Sequence, residues 1–321
     1  MTAPRSLRWN VSWTLAGNLV YVGSQWGMLV VLAKLGDPRM VGRFALGLAV
    51  ATPVVLFTNL GLRAVQATDA RREFAFRDYF GLRLLSMPLA LCVLAIAVVG
   101  AGYSREASLV VLAVGVAKTV EAVGDIFYGL FQQREQMQLV ARSLMLKGPL
   151  SLAALGAGVG ITGDLLPGVA GMVGVWLGVL LLFDLVNARR LLAAADERMA
   201  PDWAWPTLRQ LVRVAAPLGV ATVLGSLLLN VPRYFVEHHG GEHELGIFSA
   251  LGYVMVAGSS IASALGEAAS PRLALHFQTE LGAYRRLLGK LLLLGVGLGV
   301  VGLVLAASIG RPLLDLMYGA E

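Results

Sequence analysis

The chain has 321 residues, of which 57% are hydrophobic and 14% are charged, and its mean hydropathy is +0.72. An average soluble domain has about 25% charged residues, so this composition argues against a soluble fold and is typical of a polytopic membrane protein. The net charge of +6 and the pI of about 9.7 raise nucleic-acid binding as a candidate function. The positions of the basic residues favour membrane topology instead, so no nucleic acid is expected as a partner.

Nine apolar stretches approach the length of about 20 residues that a helix needs to cross a bilayer. They cover residues 11–33, 40–62, 82–103, 107–130, 138–160, 165–187, 208–232, 245–267 and 287–309. The connections between them are short except for residues 63–81 and 188–207, which are charged. The sequence therefore predicts an all-α, polytopic transmembrane helix bundle.

The lysines and arginines test this topology. If the N-terminus is cytoplasmic, 18 of the 26 basic residues fall on the inside and 6 on the outside, while Lys118 and Lys147 lie within spans. Cytoplasmic loops carry such an excess of positive charge. We therefore expect a multi-pass protein with a cytoplasmic N-terminus, whose basic loops face anionic membrane lipids.

Two segments, 36–48 and 240–252, indicate an internal repeat. At an offset of 204 residues, the matched pairs are Gly36 with Gly240, Gly42 with Gly246, and Phe44 with Phe248. Both segments follow odd-numbered spans, so the repeat would be parallel, an architecture of transporters that hold substrate between two lobes. The domains expected from it are an N-terminal six-helix lobe (1–190), a cytoplasmic linker (191–207) and a C-terminal lobe of about three helices (208–321).

Four short sequence patterns follow one another along the chain, and their order and spacing together are characteristic. They are Leu35-Gly36 with Gly42-Arg43-Phe44-Ala45, Asn59-Leu60-Gly61-Leu62-Arg63, Asp125-Ile126-Phe127-Tyr128-Gly129, and Asn230-Val231-Pro232-Arg233-Tyr234-Phe235. Together they resemble the Wzx-like polysaccharide flippases of the multidrug/oligosaccharidyl-lipid/polysaccharide exporter (MOP) superfamily, which are relatives of the MATE transporters. Such flippases usually have twelve or more helices, so this chain is either a fragment that lacks about three helices of the C-terminal lobe or naturally short.

The resemblance implies a MATE-like two-lobe transporter fold in the bacterial inner membrane. It also implies an activity: moving undecaprenyl-diphosphate-linked oligosaccharide from the inner to the outer leaflet by alternating access. No group is transferred in this process, so neither catalytic residues nor a cofactor or metal ion is expected. A polysaccharide polymerase and glycosyltransferases are further candidate partners.

The strongest functional signal is an ionisable stripe in the fourth span. Lys118, Glu121 and Asp125 have the spacing i, i+3 and i+7, which puts them on one helix face. A charge at the bilayer centre costs about 2.5–3.5 kcal/mol on insertion scales, so such residues usually face a bundle interior or a wet cavity. The alternative is that Lys118 and Glu121 form a self-neutralising pair that docks a neighbouring helix.

Three further groups of polar residues are candidates for the substrate path. Asn18, Tyr21 and Gln25 share one face of the first span and could contact sugar hydroxyls or bond between helices. Asn59 and Arg63 close the second span, where Arg63 could bind diphosphate or anchor the helix.

Arg233 closes the seventh span on the predicted outer side. Its alternatives are a gate or substrate contact and snorkelling to headgroups. The histidines and glutamates that follow, residues 237–244, match no standard zinc spacing and predict a solvated outer loop.

Two other functions compete with flipping, and a third alternative is an inactive fragment or an assembly partner. A MATE-type cation-coupled drug antiporter would use Glu121 and Asp125 as its central groups. A membrane glycosyltransferase or ligase acting on the same carrier lipid usually needs a sizeable extramembrane loop, and the longest connection here has about 20 residues. We therefore expect a transporter and not an enzyme.

Overall fold

The computed structural model describes residues 7–69 and 73–318, and the regular structure within them is entirely helical. The α-helices are α1 (Leu7–Leu35), α2 (Pro38–Asn59), α3 (Leu62–Thr68), α4 (Phe76–Ala101), α5 (Arg105–Gln133), α6 (Met137–Thr162), α7 (Leu165–Val179), α8 (Leu185–Ala193), α9 (Trp205–Thr279) and α10 (Leu281–Tyr318). A five-residue π-helical turn, Leu180–Asp184, joins α7 to α8. The all-α prediction is confirmed.

Eight helices among the described residues are long and apolar enough to cross a membrane. The predicted seventh and eighth spans both lie on α9, whose helical backbone is interrupted at Gly241 with φ 76° and ψ −172°. Glycine adopts this conformation without steric cost, so one residue is enough to separate the two helical parts. Most of the predicted span 245–267 lies beyond Ser249, where side chains are outside the described set.

The prediction that 63–81 is a loop is wrong in two places. The chain turns at Leu60 and Gly61, both left-handed with φ 51° and φ 63°, and re-enters helix at once as α3. Further on, α4 begins at Phe76, six residues before the predicted span, because the Asp78 carboxylate accepts a hydrogen bond from the Ala75 amide at 2.8 Å and caps the first turn. Residues 70–72, which include Arg71 and Arg72, are outside the description.

The described chain forms two compact units, Met1–Ser249 and Ala250–Glu321. In the first unit α5 lies centrally and packs against α2, α3, α4 and α7, while α6 packs against α1 and α7. The second unit contains the rest of α9 and α10. The division into lobes at 1–190, 191–207 and 208–321 stays a prediction.

The contact between α1 and α6 is close enough to exclude a side chain. A Cβ atom at Gly17 would lie 2.7 Å from the Cα of Ala141, whereas one at Gly23, also on α1, would meet nothing within 4 Å. Small residues at such positions let helix backbones approach in a membrane.

Gly17→Ala is therefore expected to destabilise the protein by about 1–3 kcal/mol, as overpacking does. Gly23→Ala is the matched control and should leave stability unchanged or raise it, by up to about 1 kcal/mol, since alanine favours the helix. Thermal unfolding of both purified variants in detergent is the measurement. Equal behaviour of the two would show that this helix contact does not contribute to stability.

Candidate functional site

The first half of the predicted stripe on α5 is tied to α1. The Lys118 ammonium donates to Glu121 Oε2 at 2.7 Å, and the Tyr21 hydroxyl donates to Glu121 Oε1 at 2.5 Å. Lys118 Nζ also lies 5.8 Å from a ring centroid of Trp176 on α7. The neutralising pair considered from the sequence is thus present, and it connects three helices.

The second half of the stripe is tied to α3. Arg63 Nη1 lies 3.2 Å from Asp125 Oδ1, and Arg63 Nε donates to Gln132 Oε1 at 3.3 Å. The guanidinium carbon is 5.3 Å from the ring centroid of Tyr128, within cation–π range. Asn59, predicted to act beside Arg63, contacts a different arginine. Arg63 itself remains partly exposed, with 36% of its side-chain area accessible, so its guanidinium is reachable.

A second charged group lies deeper and was not predicted as a site. Lys147 Nζ on α6 donates to the Tyr128 hydroxyl at 3.0 Å, and that hydroxyl is 2.7 Å from Ser143 Oγ. Asp184, in the π-helical turn, is fully buried, and neither of its carboxylate oxygens has a hydrogen-bond partner of ordinary geometry among the described residues.

Both charges of this deeper group lie close to Gly124. A Cβ atom at Gly124 on α5 would lie 3.5 Å from Lys147 Nζ and 3.8 Å from Asp184 Oδ2. The ammonium and the carboxylate therefore approach the same point on α5. Burial of an isolated charge is costly, and the attraction between these two opposite charges offsets part of that cost.

Arg83 is a further buried cation. It was counted from the sequence among the cytoplasmic basic residues, yet only 1% of its surface is exposed. One guanidinium nitrogen donates to the side-chain oxygen of Asn59, and the other lies 3.5 Å from the Asn59 carbonyl oxygen. Since α4 starts early, Arg83 falls inside the helix and reaches across to the end of α2.

The structure shows no hydrogen bond or ion pair from Asn18, Gln25 or Arg233 to the charged residues of α5 among the contacts it describes. Asn18 lies partly exposed on α1, and Gln25 has a buried amide nitrogen without a hydrogen-bond partner among the described residues. Arg233 lies on α9, where its Nη1 donates to Asn230 Oδ1 at 3.0 Å. The membership of all nine predicted residues in one substrate path stays a prediction.

The end of α2 that is predicted to face outward meets both α5 and α9. The Arg43 guanidinium lies 2.6 Å from a carboxylate oxygen of Glu106 and 2.7 Å from one of Glu242. A Cβ atom at Gly42 would overlap the Glu242 carbonyl oxygen, and one at Gly246 would overlap that of Pro38. The two segments that suggested the internal repeat thus pack on each other through their matched glycines.

The prediction that residues 237–244 form a loop is wrong, because they are helical on both sides of Gly241. The predicted exposure to solvent holds in part, since His239, His243 and Glu244 are exposed. The Tyr234 hydroxyl donates to the Ala49 carbonyl oxygen on α2. Tyr103 lies in the connection between α4 and α5. Burial and the negative charge of Glu237 raise the pKa of its hydroxyl above the ordinary value. This segment of α9 is therefore packed against the rest of the first unit.

Long apolar helices with partnered charges at their centre define a multi-pass membrane protein, and its fold is that of a MATE-type transporter. The chain is similar in structure to a MOP superfamily transporter from Pyrococcus furiosus, with TM-score 0.59, 14% identity, and coverage of 98% of this chain and 74% of that one. It is also similar to a MATE transporter solved in complex with MaD5, with TM-score 0.58, 14% identity, and coverage of 99% and 78%.

The chain belongs to the polysaccharide biosynthesis protein family, whose model matches residues 7–276. A relative in sequence is the capsular polysaccharide biosynthesis protein CapF of Staphylococcus aureus, which is 24% identical over 313 residues. The match covers 97% of this chain and 77% of CapF. The predicted relationship is confirmed for the polysaccharide biosynthesis family and for the MATE-type fold.

Proposed function

We propose that the protein is a flippase that carries undecaprenyl-diphosphate-linked oligosaccharide across the bacterial inner membrane for surface polysaccharide synthesis. Membership of the polysaccharide biosynthesis family supports the substrate class, and the MATE-type fold supports transport. The excess of basic residues on one side supports a cytoplasmic N-terminus.

The observation that carries the proposal is the set of exchangeable ion pairs along α5. Lys118 is held by Glu121, and Arg63 is held by Asp125, each within 3.2 Å. A diphosphate group offers the same cations a competing anion, and the guanidinium fork matches phosphate oxygens in a bidentate geometry. Binding of the substrate head would then keep Lys118 and Arg63 paired with an anion while it displaces the Glu121 and Asp125 carboxylates.

Alternating access requires that substrate bind the two end states with different affinity. The contact of Arg43 with Glu106 and Glu242 ties α2, α5 and α9 together at the end predicted to face outward. We infer that these pairs break when the path opens on that side and re-form when it closes. The proposed lobes, 1–190 and 208–321 with the linker 191–207, are the bodies that would move.

The decisive experiment is complementation in a deletion strain with separate measurement of lipid-linked oligosaccharide in each leaflet. Accumulation on the cytoplasmic leaflet, relieved by the gene together with any continuation past Glu321, supports flipping. If the lipid-linked intermediates never form, the protein acts earlier, as an enzyme would. If polysaccharide is normal and drug sensitivity rises, the antiporter function replaces this one.

Arg63→Ala is expected to reduce surface polysaccharide at least about tenfold, because a charge-assisted hydrogen-bonding group of about 1.5–3 kcal/mol is lost from the path. Arg63→Lys keeps the charge but loses the planar, forked guanidinium, so it should recover only part of the activity.

Lys118→Ala and Arg233→Ala should also reduce surface polysaccharide while the protein still inserts into the membrane. Full recovery by Arg63→Lys would mean that point charge alone suffices, and normal polysaccharide in the alanine variants would remove those residues from the path.

A further inference from the structure

A cavity of about 410 Å³ lies apart from the charged groups on α5. It is open on one side and is bordered by α4, α5, the π-helical turn, α8 and residues 199–201. Its walls include the rings of Phe80 and Phe127, which lie 5.7 Å apart, and the side chains of Leu181 and Leu185. The size is that of a small-molecule site, and nine of its ten lining residues are apolar.

The wall formed by residues 199–201 is fixed in place from both sides. The Asp202 amide donates to the Arg77 carbonyl oxygen at 3.1 Å, and the two side chains form an ion pair at 3.3 Å. On the other side, Glu197 pairs with Arg134 at the end of α5. The cavity is therefore a built feature of the first unit and not a gap under a loose connection.

The cavity lies beside a lipid-type surface. Leu181, which lines it, is 51% exposed, and the adjacent Leu182 is 79% exposed. Trp203 and Trp205, which follow its 199–201 wall in the chain, are also exposed, at 52% and 70%. Exposed tryptophans are enriched at the headgroup level of membranes, so the cavity is placed at an interface between hydrocarbon and water.

One cation stands among these apolar walls. Arg189 is the charged member of the lining, is exposed, and has no hydrogen-bond or ion-pair partner among the residues that the structure describes. Its neighbours Arg190 and Arg198 are exposed as well. An arginine at the rim of an apolar cavity complements a ligand with a hydrocarbon chain and an anionic phosphate.

We propose that this cavity binds one acyl chain of an anionic phospholipid while Arg189 binds the lipid phosphate. The lining offers no hydroxyl, amide or carboxylate side chain for sugar groups, so a phospholipid fits it better than the glycan-bearing carrier. The ligand is a membrane lipid that occupies its own site, distinct from the transported molecule. This inference does not depend on the proposed transport function.

The test is native mass spectrometry of the delipidated, purified chain titrated with palmitoyl-oleoyl phosphatidylglycerol or phosphatidylcholine. We expect tighter binding of phosphatidylglycerol, and we expect Arg189→Ala to weaken it about fivefold, the effect of one basic residue at an anionic surface. Arg190→Ala, one position away and outside the lining, is the matched control. Leu181→Trp fills the cavity and should reduce binding of both lipids, whereas Leu182→Trp should not.

Several results would overturn the proposal. Equal binding of the two lipids would remove the role of the phosphate charge, and equal losses in the Arg189 and Arg190 variants would indicate diffuse attraction without a site. Retained binding by Leu181→Trp would place the lipid elsewhere. If undecaprenyl phosphate displaces phosphatidylglycerol and depends more strongly on Arg189, the site belongs to the carrier lipid.

Discussion

Replacement of Lys147 by alanine is expected to lower the free energy of unfolding by about 3–5 kcal/mol, the usual cost of removing one partner of a buried charge pair. Lys147 is 1% exposed and Asp184 is fully buried, with both charges converging on Gly124. Without the ammonium, the Asp184 carboxylate loses the nearby opposite charge that offsets its burial. The measurement is unfolding of the purified variant in detergent, together with the amount of folded protein recovered from membranes.

This prediction has two controls, a single variant on the same helix and a double variant that removes both charges. Arg142 is exposed on α6 and lies 5.5 Å from the Trp13 ring centroid. Its replacement by alanine should cost no more than about 1 kcal/mol, the value of an exposed cation–π contact. The double variant Lys147→Met, Asp184→Leu removes both charges and should regain most of the lost stability, because apolar replacement of a buried pair is often neutral. A double variant as unstable as the single one would show that packing, and not charge, explains the loss.

Gly42→Leu is expected to abolish complementation, with surface polysaccharide falling at least about tenfold. Any side chain at Gly42 overlaps the Glu242 carbonyl oxygen, so α2 and α9 must separate where Arg43 and Glu242 pair. If closure of this end is one half of the transport cycle, a protein that cannot close cannot complete the cycle. The readout is surface polysaccharide, normalised to the amount of protein in the membrane.

Gly100→Leu is the matched control, because a Cβ atom at Gly100, near the end of α4, would meet nothing within 4 Å. It should complement normally. Normal polysaccharide with Gly42→Leu would show that the contact between Gly42 and Glu242 is not needed for transport. A loss caused by misfolding would appear as a fall in membrane-inserted protein, which the normalisation detects.

Hydropathy and helical spacing predicted the long helices, though not α3 or the start of α4, and the face of α5 that carries Lys118, Glu121 and Asp125. They could not predict the partners, since Tyr21 and Glu121 are 100 residues apart in sequence and Arg63 and Asp125 are 62 apart. The spacing of polar residues in the sequence identifies the polar side of a helix, but it does not identify the helix that packs against that side. For this reason the pairing of Asn59 with Arg83 instead of Arg63 also appeared only in the structure.

Asp184 was missed because it is a single charge near the predicted inner end of an apolar span. The structure shows why it is buried. Residues at four-residue steps face the core in this part of the chain, namely Trp176, Leu180, Asp184, Ala188 and Leu192. An α-helix repeats every 3.6 residues, so a sustained spacing of four indicates local unwinding, as in a π-helical turn.

That π-helical turn rotates the second part of the sixth span, α8, relative to the first part, α7. One residue more than an α-helical turn requires is absorbed between Leu180 and Asp184, which offsets α8 from the phase of α7 by about 100°. Deleting the exposed Leu182 would merge the segments into one phase, so Asp184 and Arg189 could not both keep their present directions. The core charge and the lipid-side charge of this span are thus coupled geometrically through a single inserted residue.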